Sequence, residues 1–235
     1  MILTKIVREI AQKGSQEAVL DTALGYFNDQ GFRALSYLIP SIKTPGQIEG
    51  EHFGYPEAWW AHYRGQEYQQ IDPFPAFVVR SGRPMRITDI QKEMALTGEQ
   101  QEYLQDARSH GVTDGFILPT FGPRQHIALF VAAQVDDLAI LDTVEVELLQ
   151  FVAQTAHLRI DQINACELPR PRLAPREVVI LHWIAQGKSN DSIATILGIA
   201  RPTVATHIKR IFQKLDVGDR ASAAVKGIKF GIIDA

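Results

Sequence analysis

The sequence contains almost no cysteine and no long apolar run. Cys166 is the single cysteine among 235 residues, which excludes an internal disulfide framework and fits a reducing, cytoplasmic setting. No stretch reaches about 18 consecutive apolar residues, the length that a membrane span requires. The apolar stripe at the N-terminus is interrupted by Lys5, Arg8 and Glu9, unlike a signal peptide. We therefore expect a cytoplasmic protein with no membrane partner.

Motifs of the common enzyme classes are also missing. The sequence has no G-x-S-x-G nucleophile elbow, and its seven histidines form no H-E-x-x-H or similar metal-binding spacing. The segment Gly187–Ser189 reads GKS, but His182 stands where a phosphate-binding loop has its first glycine. A phosphoacceptor domain needs an acidic pair after its first strand, whereas this chain begins with an amphipathic helix. We therefore predict no enzymatic activity, no catalytic residue, no metal and no cofactor.

Charge is distributed unevenly along the chain. From Arg170 onward there are eleven Lys and Arg against five Asp and Glu, a net charge of +6. The preceding residues carry 13 basic and 22 acidic side chains, a net charge of -9. A basic tail on an acidic body indicates that one end of the protein binds nucleic acid.

A proline-rich segment divides the chain into two predicted domains. Residues 167–175 hold three prolines, which disfavour helix and mark a linker between domains 1–166 and 176–235. The apolar patterns of the first domain predict strands and helices. The strands are expected at 33–39, 115–121 and 127–133, the last two joined by a turn at Gly122, Pro123 and Arg124, and a long helix at 143–164. The predicted class is α+β: an N-terminal α/β/α sandwich around an antiparallel sheet, and a C-terminal all-α helix-turn-helix domain.

The C-terminal domain has the pattern of a helix-turn-helix. Helices are predicted at 176–186 and 190–197, and a third begins near Pro202, a residue tolerated at the first helical position. A last helix is predicted around 220–229. Val204, Ile208, Ile211 and Leu215 share one face of this third helix. The candidate DNA-binding residues are Thr203, Thr206, Lys209, Arg210, Gln213 and Lys214. Hydroxyl, amide and cationic groups suit the DNA major groove, although the same pattern is compatible with a merely solvated helix face.

The segment PREVVILHWIAQGKSNDSIATILGIARPTVATHIKRIFQKLDVGDRASA and the closing KFGII resemble the DNA-binding module of LuxR-type regulators. Glu177, Leu181 and Gly187 fall on invariant positions of that family. Two residues depart from the pattern: Ala200 replaces the usual serine at the turn, and Ser192 replaces the usual glutamate. The lost serine cap is expected to cost about 1 kcal/mol. The resemblance implies a homodimer that binds a palindromic double-stranded operator, and contacts RNA polymerase if it activates transcription.

A dense group of aromatic and polar residues marks the first domain. It comprises Tyr55, Trp59, Trp60, Tyr63, Tyr68 and Asp72. Trp59 and Tyr63 are four residues apart and share a helix face, so an indole, a phenol and a downstream carboxylate could converge on one cavity for a small amphipathic ligand. From spacing alone, an ordinary aromatic core with a surface aspartate explains the pattern somewhat better.

This group is similar to the autoinducer-binding domain of LuxR-type quorum-sensing receptors. The pocket motif of that family falls on Tyr55, Trp59, Tyr63, Asp72–Pro73 and Gly115. By this resemblance Trp59 donates to the lactone carbonyl of an acyl-homoserine lactone, Asp72 accepts from its amide N–H, and Tyr55 donates to the acyl carbonyl. Tyr63 lines the acyl pocket.

Two pocket positions depart from the family pattern. Ile87 replaces a second tryptophan, and Val131 stands where relatives often carry a hydroxyl. The primary prediction is therefore a regulator that responds to an acyl-homoserine lactone. The alternative is a LuxR-type solo regulator that senses a non-standard lactone or another small molecule, or that acts without ligand.

Overall fold

A computed structural model describes residues 2–40, 48–112, 114–123, 126–167 and 171–234. The chain separates into two compact units, one formed by Met1–Gly122 and His126–Ala165, the other mainly by residues 166–235. The predicted turn residue Arg124 lies outside the described residues, as do Leu168, Pro169 and Arg170 of the predicted linker.

An antiparallel sheet forms the centre of the N-terminal unit. Among the described residues its strands are β1 (Phe32–Pro40), β2 (Ile48–Phe53), β3 (Met85–Arg86), β4 (Gly115–Phe121) and β5 (Ile127–Val135). Their spatial order is β2-β1-β5-β4-β3, with every neighbouring pair antiparallel. The three predicted strands are confirmed as β1, β4 and β5. Strands β2 and β3 were not predicted because β2 is polar at an edge of the sheet and β3 has only two residues.

Helices cover both faces of this sheet. One face packs against α1 (Ile2–Gln12), α2 (Gln16–Asp29) and a long helix, α8 (Val146–Glu167). The opposite face carries α3 (Glu57–Gly65), α4 (Phe74–Ser81), α5 (Ile87–Glu93) and α6 (Gly98–Ser109), and a short helix, α7 (Ile140–Thr143), precedes α8. Each face has its own buried apolar cluster, which confirms the predicted α/β/α sandwich.

The long helix differs from its predicted bounds of 143–164. Thr143 ends α7, and the extended backbone of Val144 separates the two helices. The helix then continues to Glu167, so its last residues enter the predicted linker.

The described part of the C-terminal unit is entirely helical. Its helices are α9 (Pro175–Ala185), α10 (Asn190–Leu197), α11 (Arg201–Leu215) and α12 (Arg220–Lys229), all within about one residue of prediction. Side-chain oxygens of Ser189 and Asp219 cap α10 and α12, whereas Ala200 at the N-terminus of α11 has no such group. Apolar residues of all four helices form one core. No helix within the described residues is both long and apolar enough to cross a membrane.

Candidate ligand cavity and nucleic-acid interface

A cavity of about 870 Å³ lies in the N-terminal unit, between the sheet and helices α3, α5 and α6. Strand residues Ser36, Leu129 and Val131 form part of its wall, and most of the remaining surface is apolar or aromatic. A cavity of this size with few polar groups is typical of a small-molecule site.

Most of the sequence-predicted ligand residues meet at this cavity. Its wall includes Tyr55, Trp59, Tyr63, Asp72, Ile87 and Val131. Trp59 and Tyr63 are buried on α3, with ring centroids 5.9 Å apart. Asp72 follows a 3-10 turn at Tyr68–Gln70, and Ile87 begins α5. Every member of the aromatic group except Tyr68 thus lines a cavity.

Pro73 and Gly115 have structural positions instead. The described cavity wall includes neither residue. Pro73 is buried immediately before α4. A Cβ on Gly115 would lie 2.1 Å from the backbone oxygen of Ala132 on the paired strand, so only glycine fits the close approach of β4 and β5. Gly115 therefore has a role in strand packing, and contact of Pro73 and Gly115 with a ligand stays a prediction.

Asp72 is the carboxylate of the cavity wall that the sequence motif predicts, and Glu49, Asp114 and Asp136 also line this wall. The Oδ2 atom of Asp72 accepts hydrogen bonds from the hydroxyls of Tyr63 at 3.1 Å and Tyr103 at 3.2 Å, and its Oδ1 accepts from the backbone N–H of Phe74 at 3.0 Å. Burial raises the pKa of Asp72 from 3.8 to about 6, despite these three donors. A carboxylate offers about four lone-pair positions, so one remains for a further donor.

A second polar group joins β1, β2 and the segment before α3. His52 Nδ1 lies 3.0 Å from Ser36 Oγ, and Ser36 is also hydrogen-bonded to the Tyr55 hydroxyl. Burial, with a smaller contribution from Arg64, lowers the pKa of His52 to about 4. Burial raises the pKa of Tyr55 to about 12, so its hydroxyl keeps its proton at neutral pH. Ser36, His52 and Tyr55 therefore form a group of neutral hydrogen-bonding side chains in the cavity wall, distinct from the carboxylate of Asp72.

Two polar atoms at the cavity are left without partners. Trp60 Nε1 and Gln69 Oε1 are buried and make no hydrogen bond with any described residue, although both side chains line the cavity. The Trp60 ring stacks on His52, with centroids 3.3 Å apart. Because an unpaired buried polar group costs about 1–3 kcal/mol, a ligand that pairs with these atoms would recover part of that cost.

Sequence reasoning missed several polar members of this site, among them Ser36, His52, Gln69 and Tyr103. Tyr103 is the clearest case, because Tyr103, Leu104 and Ala107 form a buried stripe on α6 that helical spacing alone can detect. What spacing cannot detect is the contact with Asp72, 31 residues away along the chain.

Helix α11 presents the predicted DNA-binding face. Val204, Ile208, Ile211 and Leu215 are buried in the core. The opposite side carries exposed residues, namely Thr203, Thr206, Lys209, Arg210, Gln213 and Lys214. Thr206 donates its hydroxyl to the backbone oxygen of Pro202 at 3.0 Å, so that hydroxyl is already engaged within the helix.

Lys214 differs from the other cations of this face. Its Nζ lies 2.6 Å from Oε2 of Glu177, a carboxylate that is 2% exposed and also accepts from the backbone N–H of Ala174. Burial raises the pKa of Glu177, but the bonds from Lys214 and Ala174 outweigh it and the net shift is downward. Lys214 therefore joins α11 to α9, a role that the sequence did not reveal.

An α/β/α sandwich that encloses a ligand-sized cavity, combined with a helix-turn-helix unit, defines a ligand-responsive transcriptional regulator. The family model of the autoinducer binding domain matches residues 15–160, and that of the bacterial regulatory proteins of the luxR family matches residues 171–226. The chain belongs to the LuxR-type quorum-sensing regulators.

Individual relatives and structures agree with this family. The HTH-type transcriptional regulator y4qH of Sinorhizobium fredii is 31% identical over 78% of this chain, which spans 57% of that protein's length. RpaR of Rhodopseudomonas palustris, a quorum sensing-dependent regulator, is 28% identical over 77% of this chain and 73% of its own. The crystal structure of Escherichia coli SdiA has a TM-score of 0.79 at 21% identity, covering 99% of this chain and 98% of that chain. SdiA in complex with octanoyl-rac-glycerol has a TM-score of 0.73, also at 21% identity, covering 97% and 93%.

Proposed function

We propose that this protein binds an acyl-homoserine lactone in the N-terminal cavity and thereby controls the binding of its C-terminal unit to a palindromic operator. The observation that carries this proposal is the Asp72 carboxylate, which lines the cavity and keeps one acceptor position beyond its three hydrogen bonds. The amide N–H of an acyl-homoserine lactone is a donor that fits this position.

The amide N–H and both carbonyls of such a ligand have partners in the proposed pose. Asp72 accepts from the amide N–H, Trp59 donates its indole N–H to the lactone carbonyl, and Tyr55 donates to the acyl carbonyl. Tyr63 borders the acyl chain and also orients Asp72, since its hydroxyl donates to that carboxylate. Pairing all ligand groups matters because the cavity wall is otherwise mostly apolar.

A second candidate ligand class is favoured by the unusual part of the wall. Ile87 and Val131 provide no hydrogen-bonding side chain, whereas Trp60 offers an unpaired N–H. A ligand with different polar groups, such as a non-standard lactone or an acylglycerol of the kind bound to SdiA, would suit this wall. The protein would then be a solo regulator, which acts on a foreign signal or without ligand.

For DNA binding we propose a homodimer in which two copies of α11 enter the major groove of half-sites about one DNA turn apart. The proposed domains are residues 1–166 for ligand binding and 176–235 for DNA binding, with 167–175 as the linker. Exposed apolar side chains support dimer contacts through α8 and α12, namely Phe151, Leu158 and Val225. If the regulator activates transcription, RNA polymerase is a further partner.

The most direct test is mass spectrometry of small molecules that co-purify with the full-length protein from a lactone-producing host. We expect one acyl-homoserine lactone in stoichiometric amount from the wild type, and much less from Trp59→Phe and Asp72→Asn. Lys209→Ala, on the DNA-binding unit, is the matched control and should retain the wild-type amount. A different bound molecule would support the second ligand class, and equal lactone in all variants would contradict the proposed pocket.

A further inference from the structure

Three side chains that commonly ligate metals meet beside the aromatic group but outside the described cavity wall. His62 is in the last turn of α3, and Asp106 and His110 lie at the C-terminal end of α6. His62 Nε2 is 2.5 Å from Asp106 Oδ2, and His110 Nδ1 is 3.3 Å from Asp106 Oδ1. The ligand atoms of all three residues lie within 4.8 Å of one another.

The geometry is close to that of a coordinated ion. Bonds of about 2.0–2.2 Å from imidazole nitrogen or carboxylate oxygen to a metal place two ligand atoms no more than about 4.2 Å apart. Both distances to Asp106 are within that limit, the shorter one at a hydrogen-bond length, and the three ligand atoms together span at most 4.8 Å. The His62 and His110 rings stack with centroids 4.3 Å apart, so small rotations of half-buried side chains suffice to direct both nitrogens at one ion.

The donor set also selects the class of ion. Two imidazoles and one carboxylate suit Zn²⁺ and similar divalent transition metals better than Mg²⁺ or Ca²⁺, which prefer oxygen ligands. Each imidazole can donate its own N–H to a different oxygen of Asp106, whereas a divalent ion accepts electron pairs from all three groups. Three protein ligands leave a further coordination position for water.

A supporting hydrogen bond is already in place. The Tyr68 hydroxyl donates to Asp106 Oδ2 at 2.6 Å and orients this carboxylate. Ligating carboxylates are commonly held by a second hydrogen-bonding group in this way.

We propose that His62, Asp106 and His110 form a binding site for one divalent transition-metal ion of the Zn²⁺ class. The ion links α3 to α6. These helices carry Trp59, Tyr63 and Tyr103, which line the cavity, so the ion fixes two of its walls relative to each other. The site does not depend on the identity of the cavity ligand.

Titration of chelator-treated full-length protein with Co²⁺ tests the proposal, because Co²⁺ is a visible-absorbing substitute for Zn²⁺. We expect one equivalent to bind with d–d absorption bands that Zn²⁺ abolishes. Tryptophan fluorescence should fall at the same time, since the Trp59 ring centroid is 6.1 Å from that of His62 and 5.6 Å from that of His110.

Variants assign the site to these residues. His62→Gln and His110→Gln should each weaken Co²⁺ binding at least roughly tenfold, and Asp106→Asn provides a third ligand variant if either fails to fold. His126→Gln is the matched control, because His126 Nδ1 pairs with Asp161 at 2.9 Å elsewhere in the same unit. Its Co²⁺ affinity should equal that of the wild type.

Three results would overturn the proposal. They are the absence of stoichiometric binding to the wild type, binding that persists unchanged in the folded ligand variants, and an equal loss in His126→Gln. The first of these would show that the cluster is held by hydrogen bonds alone.

Discussion

At the scale of single residues, Asp72 has the most unusual environment in the N-terminal unit. It places a carboxylate in a mostly apolar cavity wall, and burial raises its pKa to about 6. Three donors hold the side chain in one orientation, which prepares it to accept a ligand N–H.

The raised pKa of Asp72 predicts how the stability of the ligand-free protein depends on pH. The folded state binds the Asp72 proton more tightly than the unfolded state does, so this contribution to stability is complete below pH 3.8 and is lost as pH rises through about 6. At pH 7 the ionised Asp72 should lower the free energy of unfolding by about 2–3 kcal/mol relative to its value at acidic pH.

The measurement is the unfolding free energy of the N-terminal unit from pH 4 to pH 7, for the wild type and Asp72→Asn. The difference in unfolding free energy between the two proteins isolates the contribution of Asp72. We expect the wild type to lose stability relative to the variant as pH rises. A pH-independent difference would show that Asp72 is ionised with an ordinary pKa.

The unpaired N–H of Trp60 predicts that the protein prefers ligands with a hydrogen-bond acceptor at that point of the cavity. The Trp60 N–H gains a partner only from such a ligand. For two ligands that differ by a single carbonyl there, Trp60→Phe should reduce the affinity difference by about 1 kcal/mol. A double-mutant cycle from calorimetric titrations measures this term, and a coupling of zero would place the ligand away from Trp60.

At the scale of secondary-structure elements, α11 carries two kinds of cation. Lys209 and Arg210 are exposed on the outer face, whereas Lys214 pairs with the nearly buried Glu177 of α9. Helical periodicity places all three on the solvent side, and only the packing of α9 against α11 separates their roles.

This difference predicts that two alanine variants change different properties of the protein. Lys209→Ala should weaken binding to duplex DNA and reduce the salt dependence of the affinity, with stability unchanged. Lys214→Ala should lower the unfolding free energy of the C-terminal unit by roughly 1–2 kcal/mol, because Glu177 loses its partner while solvent reaches the half-exposed lysine position. Salt-dependent binding and chemical denaturation of both variants separate these effects, and unchanged DNA affinity of Lys209→Ala would remove that residue from the interface.

At the scale of the whole molecule, the position of the cavity couples ligand binding to the stability of the N-terminal unit. A molecule enclosed there contacts the sheet and three helices at once. A ligand that binds only the folded state stabilises it by mass action, by about 2.7 kcal/mol at a hundred times its dissociation constant.

We therefore expect ligand to raise the unfolding temperature of the N-terminal unit and to leave that of the C-terminal unit unchanged. Calorimetry of the full-length protein resolves the two transitions if they are independent. Asp72→Asn serves as the control, because its N-terminal transition should respond less to the same ligand. An equal shift of both transitions would indicate that the units unfold together.

The sequence by itself determined the features that depend on neighbours along the chain. Apolar spacing, prolines and glycines placed α9 to α12 and strands β1, β4 and β5, because helix and strand periods are local properties. The motif of Tyr55, Trp59, Tyr63 and Asp72 indicated the cavity through resemblance to a family.

Only the tertiary structure decided which distant side chains meet. Tyr103 reaches Asp72, Lys214 pairs with Glu177, and His62 joins Asp106 and His110, although the partners are separated by 31 to 48 residues. The close approach of β4 and β5 at Gly115 likewise depends on how the strands pair. Such contacts follow from how helices cross and strands pair, and no local spacing encodes them.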